Sequence, residues 1–319
     1  MSMFKKLFNK QDETGFREEV EVLCQLYYDY SSLWREDSEI ELRNEVGNHF
    51  LSEALRIQRK DPKLLKKILL EESTMSTRRG RIMPVYEHPL LGEIEDEPSI
   101  LDAKIAEVKS YLKYDEEATR IKKLFVVKRE NLKLVEITKV DKPDVRNPIE
   151  EMPEVKTIPI GPKFDRIGKL SHYVVIDVKT TGEKTENNYI TEIAAIKVVE
   201  DTITEGFHTK IDNTGKNNPR VAEIKDAFIE FIGSSPIVGF SASFDLKFLF
   251  SEGIDLISDR KIYDVAQYVM KTKTRLKSYD FETSLKAYGY NVKPKDSLDV
   301  CLMTDILLTV VLDKIVKEK

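Results

Sequence analysis

The chain has 319 residues, 41% hydrophobic and 34% charged, with a formal net charge of −5. No apolar run reaches the roughly 20 residues that cross a bilayer, residues 1–10 lack the apolar core of a signal peptide, and two distant cysteines, Cys24 and Cys301, build neither a disulfide framework nor a cysteine zinc site. Net acidity excludes a global positive field for holding nucleic acid, while leaving room for a local groove; the expected setting is cytoplasmic, with no membrane partner.

In chain order, Phe16, Val20, Leu23, Leu26, Tyr27, Tyr30 and Leu33 recur at three- and four-residue spacings, which predicts an amphipathic helix over 15–36. Leu42, Val46, Phe50 and Leu51 predict a second helix over 39–59. Asp61 before Pro62 reads as an N-cap and first helical position, opening a short helix through Leu70. Residues 74–97 are rich in turn formers and charge and read as a loop. Residues 99–124 return to helical spacing, and 124–140 alternate like a hairpin turning near Asn131. No known motif stands here, so 1–140 reads as a mainly helical accessory domain for a partner that the sequence does not identify.

Five of the twelve prolines, Pro143, Pro148, Pro153, Pro159 and Pro162, then fall in one stretch, an extended linker over 141–168. Beyond it, in a domain over 169–319, the β-branched run Tyr173 to Ile176 reads as a buried strand. Residues 189–199 and 202–211 follow as strands, making a meander. Then come a helix over 221–232, a buried strand over 236–240, helices over 244–252, 262–271 and 279–288, and a last helix over 297–317. Strands followed by helix, strand and helices predict an α/β arrangement with a mixed sheet.

Several segments in this half stand out together. They are Tyr173-Val-Val-Ile-Asp177-Val-Lys179-Thr-Thr-Gly182, Ile190-Thr-Glu-Ile-Ala-Ala-Ile196, Val238-Gly-Phe-Ser-Ala-Ser-Phe-Asp245-Leu-Lys-Phe-Leu249, Leu276-Lys-Ser-Tyr279 and Lys295-Asp-Ser-Leu-Asp-Val300-Cys-Leu-Met-Thr304. In order and spacing this set resembles the DnaQ-like (DEDD) 3'-5' exonucleases, which include the proofreading subunit of bacterial replicative polymerases, over about residues 170–315. The resemblance implies a ribonuclease H-like α/β fold and a nucleic-acid 3' end as partner. It also implies a site in which an Asp-x-Glu pair on a strand and one Asp from each of two later motifs hold two Mg²⁺ or Mn²⁺ ions for in-line phosphodiester cleavage. A His five residues before the last Asp is the general base in one subclass.

Carried over position by position, Asp177 matches the first Asp and Asp245 the second-motif Asp, while Lys179 stands at the Glu position, Lys295 at the base position and Val300 at the last Asp. No histidine follows His208, so none can serve as that base. The tyrosine subclass does not rescue the pattern, because its base position holds Asp296. Two aspartates (−2) beside two lysines (+2) make a neutral pocket, where a hard dication needs several oxygen ligands and net negative charge. The expectation is a metal-free site in which Lys179 and Lys295 pair with Asp177 and Asp245 as a built-in cation, with no cofactor.

Competing readings stay open. Val300, in a stripe with Met303, Thr304, Leu307, Leu308, Val311 and Leu312, reads as core; Lys179 and Lys295 also read as solvated surface lysines. Asp299 or Glu192 could replace a missing ligand, which would leave an active Mg²⁺- or Mn²⁺-dependent exonuclease using Asp177 and Asp245. Ser241 and Ser243 read as helix caps. By the resemblance, their turn and the Thr180-Thr181-Gly182 turn line the groove for a terminal nucleotide. Lys271, Lys273, Arg275 and Lys277 form a basic edge, read as solvated charge or as phosphate contacts, and His208 reads as packed or solvent-facing. In a further reading the helical half is the working part, as a protein-interaction module.

Overall fold

The computed structural model describes residues 3–36, 38–76, 85–94, 100–140, 152–159, 170–214, 216–273, 275–290 and 293–317. Contacts divide it into two units, Met1–Thr119 and Arg120–Lys319. Among the described residues, no helix is long and apolar enough to cross a membrane.

In the first unit the helical spacing yields α1 (Met3–Arg35), α2 (Ile40–Lys60), α3 (Pro62–Glu71) and the start of α4 (Asp102–Asn131). Their core takes Phe16, Val20, Leu23 and Tyr30 from α1, Phe50, Ala54 and Ile57 from α2, Leu65, Ile68 and Leu69 from α3, and Ile105 and Val108 from α4. Asp61 caps α3 as expected, its Oδ1 accepting from Lys63 N at 3.1 Å and Leu64 N at 2.9 Å. The buried face of α2 departs from expectation. Leu42 is 44% exposed, and Arg43 and Gly47 turn inward instead. Arg43 is drawn in by Asp115, and Gly47 is small because a Cβ there would stand 2.7 Å from the Tyr30 ring.

The stretch expected as a loop over 74–97 contains three short antiparallel strands, β1 (Thr74–Ser76), β2 (Val85–His88) and β3 (Gly92–Ile94); residues 77–84 and 95–97 lie outside the described residues. Strands of three or four residues are too short to show a periodicity of their own. Gly92, at φ +69°, supplies the left-handed backbone that closes the β2–β3 turn.

The hairpin expected over 124–140 is absent: α4 continues to Asn131, and an extended segment follows. Gly206 N donates to Lys133 O and Val135 N to Gly206 O, both at 2.8 Å. Ile121, Phe125 and Leu132 enter one core of the second unit, and Val135 and Ile137 the other. This packing is why the units divide between Thr119 and Arg120, upstream of the boundary expected at 140. Of the expected linker over 141–168, residues 152–159 are described and the rest lie outside the described residues. Ile158 N donates to Ile262 O at 2.7 Å, and Tyr268 OH to Ile158 O at 2.7 Å.

The second unit is built on β4 (His172–Thr180), β5 (Ile190–Val199), β6 (Thr202–Lys210), β7 (Ile237–Gly239) and β8 (Ile262–Asp264). Its helices are α5 (Val221–Ile232), α6 (Ala242–Ser251), α7 (Val265–Thr272), α8 (Phe281–Lys286) and α9 (Ser297–Lys317). The helix expected over 262–271 therefore begins with a short strand, which Asp264 ends by accepting from Ala266 N at 3.0 Å. The sheet runs β6-β5-β4-β7-β8, antiparallel across the β4–β5–β6 meander and parallel from β4 through β7 to β8. This is a ribonuclease H-like α/β fold with a mixed sheet. Val174, Ile176 and Val178 face a core with α5 and α6, while Tyr173 and Val175 face one with α7 and α9.

Candidate functional site

Period-two alternation places Asp177 and Lys179 on the face of Tyr173 and Val175, toward α9, near the carboxyl end of the central strand. Open α/β sheets present their ligand crevices at such strand ends. Asp245 arrives from the first turn of α6. The turn before it is tight: a Cβ on Gly239 would meet the Ala242 Cβ at 2.9 Å, and Ser241 takes a left-handed φ of 59°. The expected capping by Ser241 or Ser243 is not what holds it. Ser241 makes no side-chain cap bond, Ser243 is exposed, and Asp264 of β8 accepts from Ser241 N at 3.0 Å instead.

Val178 N donates to Asp245 Oδ1 at 3.3 Å, which ties the second aspartate to the strand carrying the first. Its Oδ2 is buried without a hydrogen-bond partner among the described residues. Burial, with the Asp177 charge added, pushes the Asp245 carboxyl well above the usual range, and the Val178 N–H offsets this only in part. Burial also raises Asp177, to about 6, against the nearby Ser297 hydroxyl and the Lys179 charge, which draw it down. The buried Ser297 Oγ itself completes no hydrogen bond among the described residues.

A carboxyl raised on folding keeps its proton in the folded chain after the unfolded chain has lost it, so its contribution to stability falls as pH rises from about 4 to about 6. Asp177→Asn is expected to match the wild type near pH 4 and to exceed its unfolding free energy by about 2 kcal/mol above pH 6. Urea unfolding between those limits checks this; a difference that does not change with pH would refute it.

Lys179 does not pair with Asp177, which corrects the expectation of a built-in cation. Register decides its partner: Lys179 stands opposite Glu192 on β5. Lys179 Nζ lies 3.1 Å from Glu192 Oε2 and donates to Lys295 O at 3.2 Å. His208 on β6 takes the other oxygen, Nε2 to Oε1 at 2.6 Å. Burial is the largest single influence on Glu192 and pushes its carboxyl up, yet the His208 and Lys179 contacts together hold it below the usual range. Both oxygens of Glu192 are thus engaged, and His208 neither packs idly nor faces solvent.

The third motif also departs from expectation. The Lys295 side chain is exposed, and its backbone N donates to Asp299 Oδ2 at 3.0 Å. Asp299 is buried, with its other oxygen 3.6 Å from Arg129 Nε, so both oxygens are engaged. Val300, expected as core, is half-buried and belongs to neither core cluster; Cys301, one position or about 100° further on, is fully buried in its place. The Thr180-Thr181-Gly182 turn is closed on itself. Thr180 Oγ1 donates to Gly182 O at 2.7 Å, Thr181 Oγ1 to Asn188 Oδ1 at 3.2 Å, and a Cβ on Gly182 would collide with Asn188. Lys271, Arg275 and Lys277 are exposed, and Lys273 lies over the Tyr288 ring at 5.1 Å.

The donor set does not fit a pair of hard dications. Asp177 and Asp245 converge, but Lys179 and Val300 stand where two more carboxylates belong, and the burial of Asp245 favours its protonated form. Among the described residues, no three His, Cys, Asp or Glu side chains converge as a metal site.

No family model matches the chain. Among curated proteins it is similar to the PolC-type DNA polymerase III of Clostridium perfringens, 31% identical over 101 residues, 26% of this chain and 7% of that protein. The Halalkalibacterium halodurans protein of the same description is 36% identical over 96 residues, 25% of this chain and 7% of that one. The match to the Latilactobacillus sakei protein runs over 150 residues at 27% identity, 40% of this chain and 10% of that one. The chain thus spans a tenth or less of the length of these relatives. Among solved structures it is similar to apo exonuclease I, at 16% identity over 46% of this chain and 42% of that one with a TM-score of 0.34. It is also similar to Brucella melitensis NrnC with bound Mg²⁺, at 12% identity over 46% of this chain and 74% of that one with a TM-score of 0.33.

Proposed function

We propose that this chain, which resembles the DnaQ-like exonucleases, is a cytoplasmic exonuclease-like protein that has exchanged two-metal hydrolysis for a binding role at a nucleic-acid 3' end. The observation that carries this reading is the fate of the acids around Asp177. Glu192 is held by Lys179 at 3.1 Å and by His208 at 2.6 Å, and the neighbouring Asp245 is driven toward its neutral form by burial. A site with this balance offers little to a dication and generates no hydroxide nucleophile by metal activation. The exposed Ser241 and Ser243 and the exposed Tyr189 supply hydroxyls and an aromatic face for a nucleotide, and the Thr180–Gly182 turn, its hydroxyls already bonded, serves as a wall of the groove. Lys271, Arg275 and Lys277 add positive charge for phosphates.

The test is incubation of the purified chain with 3'-labelled single-stranded DNA and RNA in Mg²⁺ or Mn²⁺. Intact label with binding at low salt is expected. Shortening that disappears in Asp177→Ala would establish an active exonuclease instead, and no binding to any oligonucleotide at low salt would leave protein docking as the role of this unit.

A further inference from the structure

We infer that the extended segment 152–159 is a detachable cover over an interaction surface, the outer edge of β8, and that the partner this edge takes once uncovered is a second copy of this chain. Among the described residues, β6 and β8 are the outer strands of the five-stranded sheet. An outer strand left open offers its unpaired backbone groups to any other strand. Here the chain covers both. On β6, Gly206 exchanges backbone bonds with Lys133 and Val135, and the approach is so close that a Cβ on Gly206 would stand 2.9 Å from Leu132 Cδ1. On β8, Thr157 pairs in parallel with Ile262, and Ile158 N donates to Ile262 O at 2.7 Å.

The cover on β8 is lightly held. Its backbone bond to Ile262 is joined by two side-chain bonds, Tyr268 OH to Ile158 O at 2.7 Å and Thr157 Oγ1 to Gln267 Oε1 at 3.0 Å. Its apolar anchors are only partly buried: Met152 and Val155 on the α5–α6 side of the sheet and Ile158 on the α7–α9 side. Beneath it, Ile262, Tyr263 and Asp264 are all buried, with Ile262 in the first of these cores and Tyr263 in the second. Lifting the segment therefore opens an apolar margin on both faces together with the Ile262 carbonyl. That combination suits an added strand. A second copy supplies one with the same margin and the same free carbonyl, and an edge that meets itself about a two-fold axis closes as a dimer. With the segment in place this is blocked, because Pro159 follows Ile158 without an N–H and the ladder ends there. Every residue involved belongs to the second unit, and the inference does not rest on the nucleic-acid reading of its site.

The full chain is compared with Ile158→Pro, which removes the donor to Ile262, and with Tyr268→Phe, which removes one hydroxyl and keeps the ring in the core. Hydrogen exchange across 152–159 should quicken about five-fold in Tyr268→Phe and reach the rate of an unstructured peptide in Ile158→Pro. In sedimentation velocity at rising protein concentration, the mass of Ile158→Pro should roughly double relative to the wild type, and Tyr268→Phe should shift the same way at higher concentration. Glu154→Ala, an exposed position on the same segment, should behave as the wild type in both measurements. Should Ile158→Pro fail to fold, Tyr268→Phe decides the matter by the same two readouts. A folded variant whose segment exchanges faster while its mass stays that of the wild type would overturn the inference. So would a wild-type segment that already exchanges as an unstructured peptide does.

Discussion

Replacing Lys179 by Glu, Lys295 by His and Val300 by Asp together is expected to raise Mn²⁺ affinity about a hundred-fold, about 3 kcal/mol. The three positions together change from +2 to −2 in formal charge, and carboxylates return at the two positions where the DnaQ-like pattern has them. The structure adds a cost. The carboxylate introduced at position 179 stands opposite Glu192, which has lost the ammonium that lay 3.1 Å away, and like charges directly across a strand pair repel. Without metal the variant should therefore melt below the wild type, and Mn²⁺ should restore it as ligand binding to the folded state does. Binding should also release a proton, because the Asp245 carboxyl, raised by burial, has to ionise to serve as a ligand. Calorimetric titration in buffers of different ionisation enthalpy measures affinity and proton release together. Recovered cleavage of a 3'-labelled strand would show that only the ligands were lost, whereas a folded variant indifferent to Mn²⁺ would mean that the pocket has changed shape as well as charge.

The largest loss of stability is expected from Asp115→Ala in the first unit, about 3 to 5 kcal/mol. Arg43 and Asp115 form a two-pronged pair, Nη2 to Oδ1 at 2.8 Å and Nε to Oδ2 at 3.2 Å, with side-chain exposures of 6% and 0%. Removing the carboxylate takes from a buried guanidinium the opposite charge that balances it. Arg43→Met with Asp115→Leu should recover most of the loss, since an apolar pair of similar volume carries no desolvation cost. Urea unfolding followed by Trp34 emission suits the measurement, because Arg43 lies 4.3 Å over that ring. A single variant within about 1 kcal/mol of the wild type would show that water reaches the pair.

How much of the molecule was readable depended on whether the signal was local. The Asp61-Pro62 helix start and the Tyr173–Ile176 strand were legible because a cap and a β-branched run act over a few residues. The inward turn of Arg43 in place of Leu42 was not, because its cause, Asp115, lies 72 residues away. The segment after α4 alternates as a hairpin would, yet it is held by Gly206 at a distance in sequence. Val300 fits a helical stripe by spacing, but the packing of α9 on the sheet gives the buried position to Cys301.

At the candidate site the division is similar. The amino-acid sequence by itself determined which side chains stand at the positions that the DnaQ-like pattern gives to its acids and base, because side-chain chemistry is a property of each residue alone. It also carried the mixed α/β fold, whose strand and helix periodicities are local. Only the tertiary structure decided where the charges went: the antiparallel register set Lys179 against Glu192 rather than Asp177, and the adjoining strand brought His208 to the same carboxylate. It decided the state of Asp245 too, since burial beside a second aspartate raises that carboxyl and no sequence spacing expresses burial. Charge pairing and protonation depend on distances of a few ångströms between residues far apart in the chain, and those distances exist only once the sheet has formed.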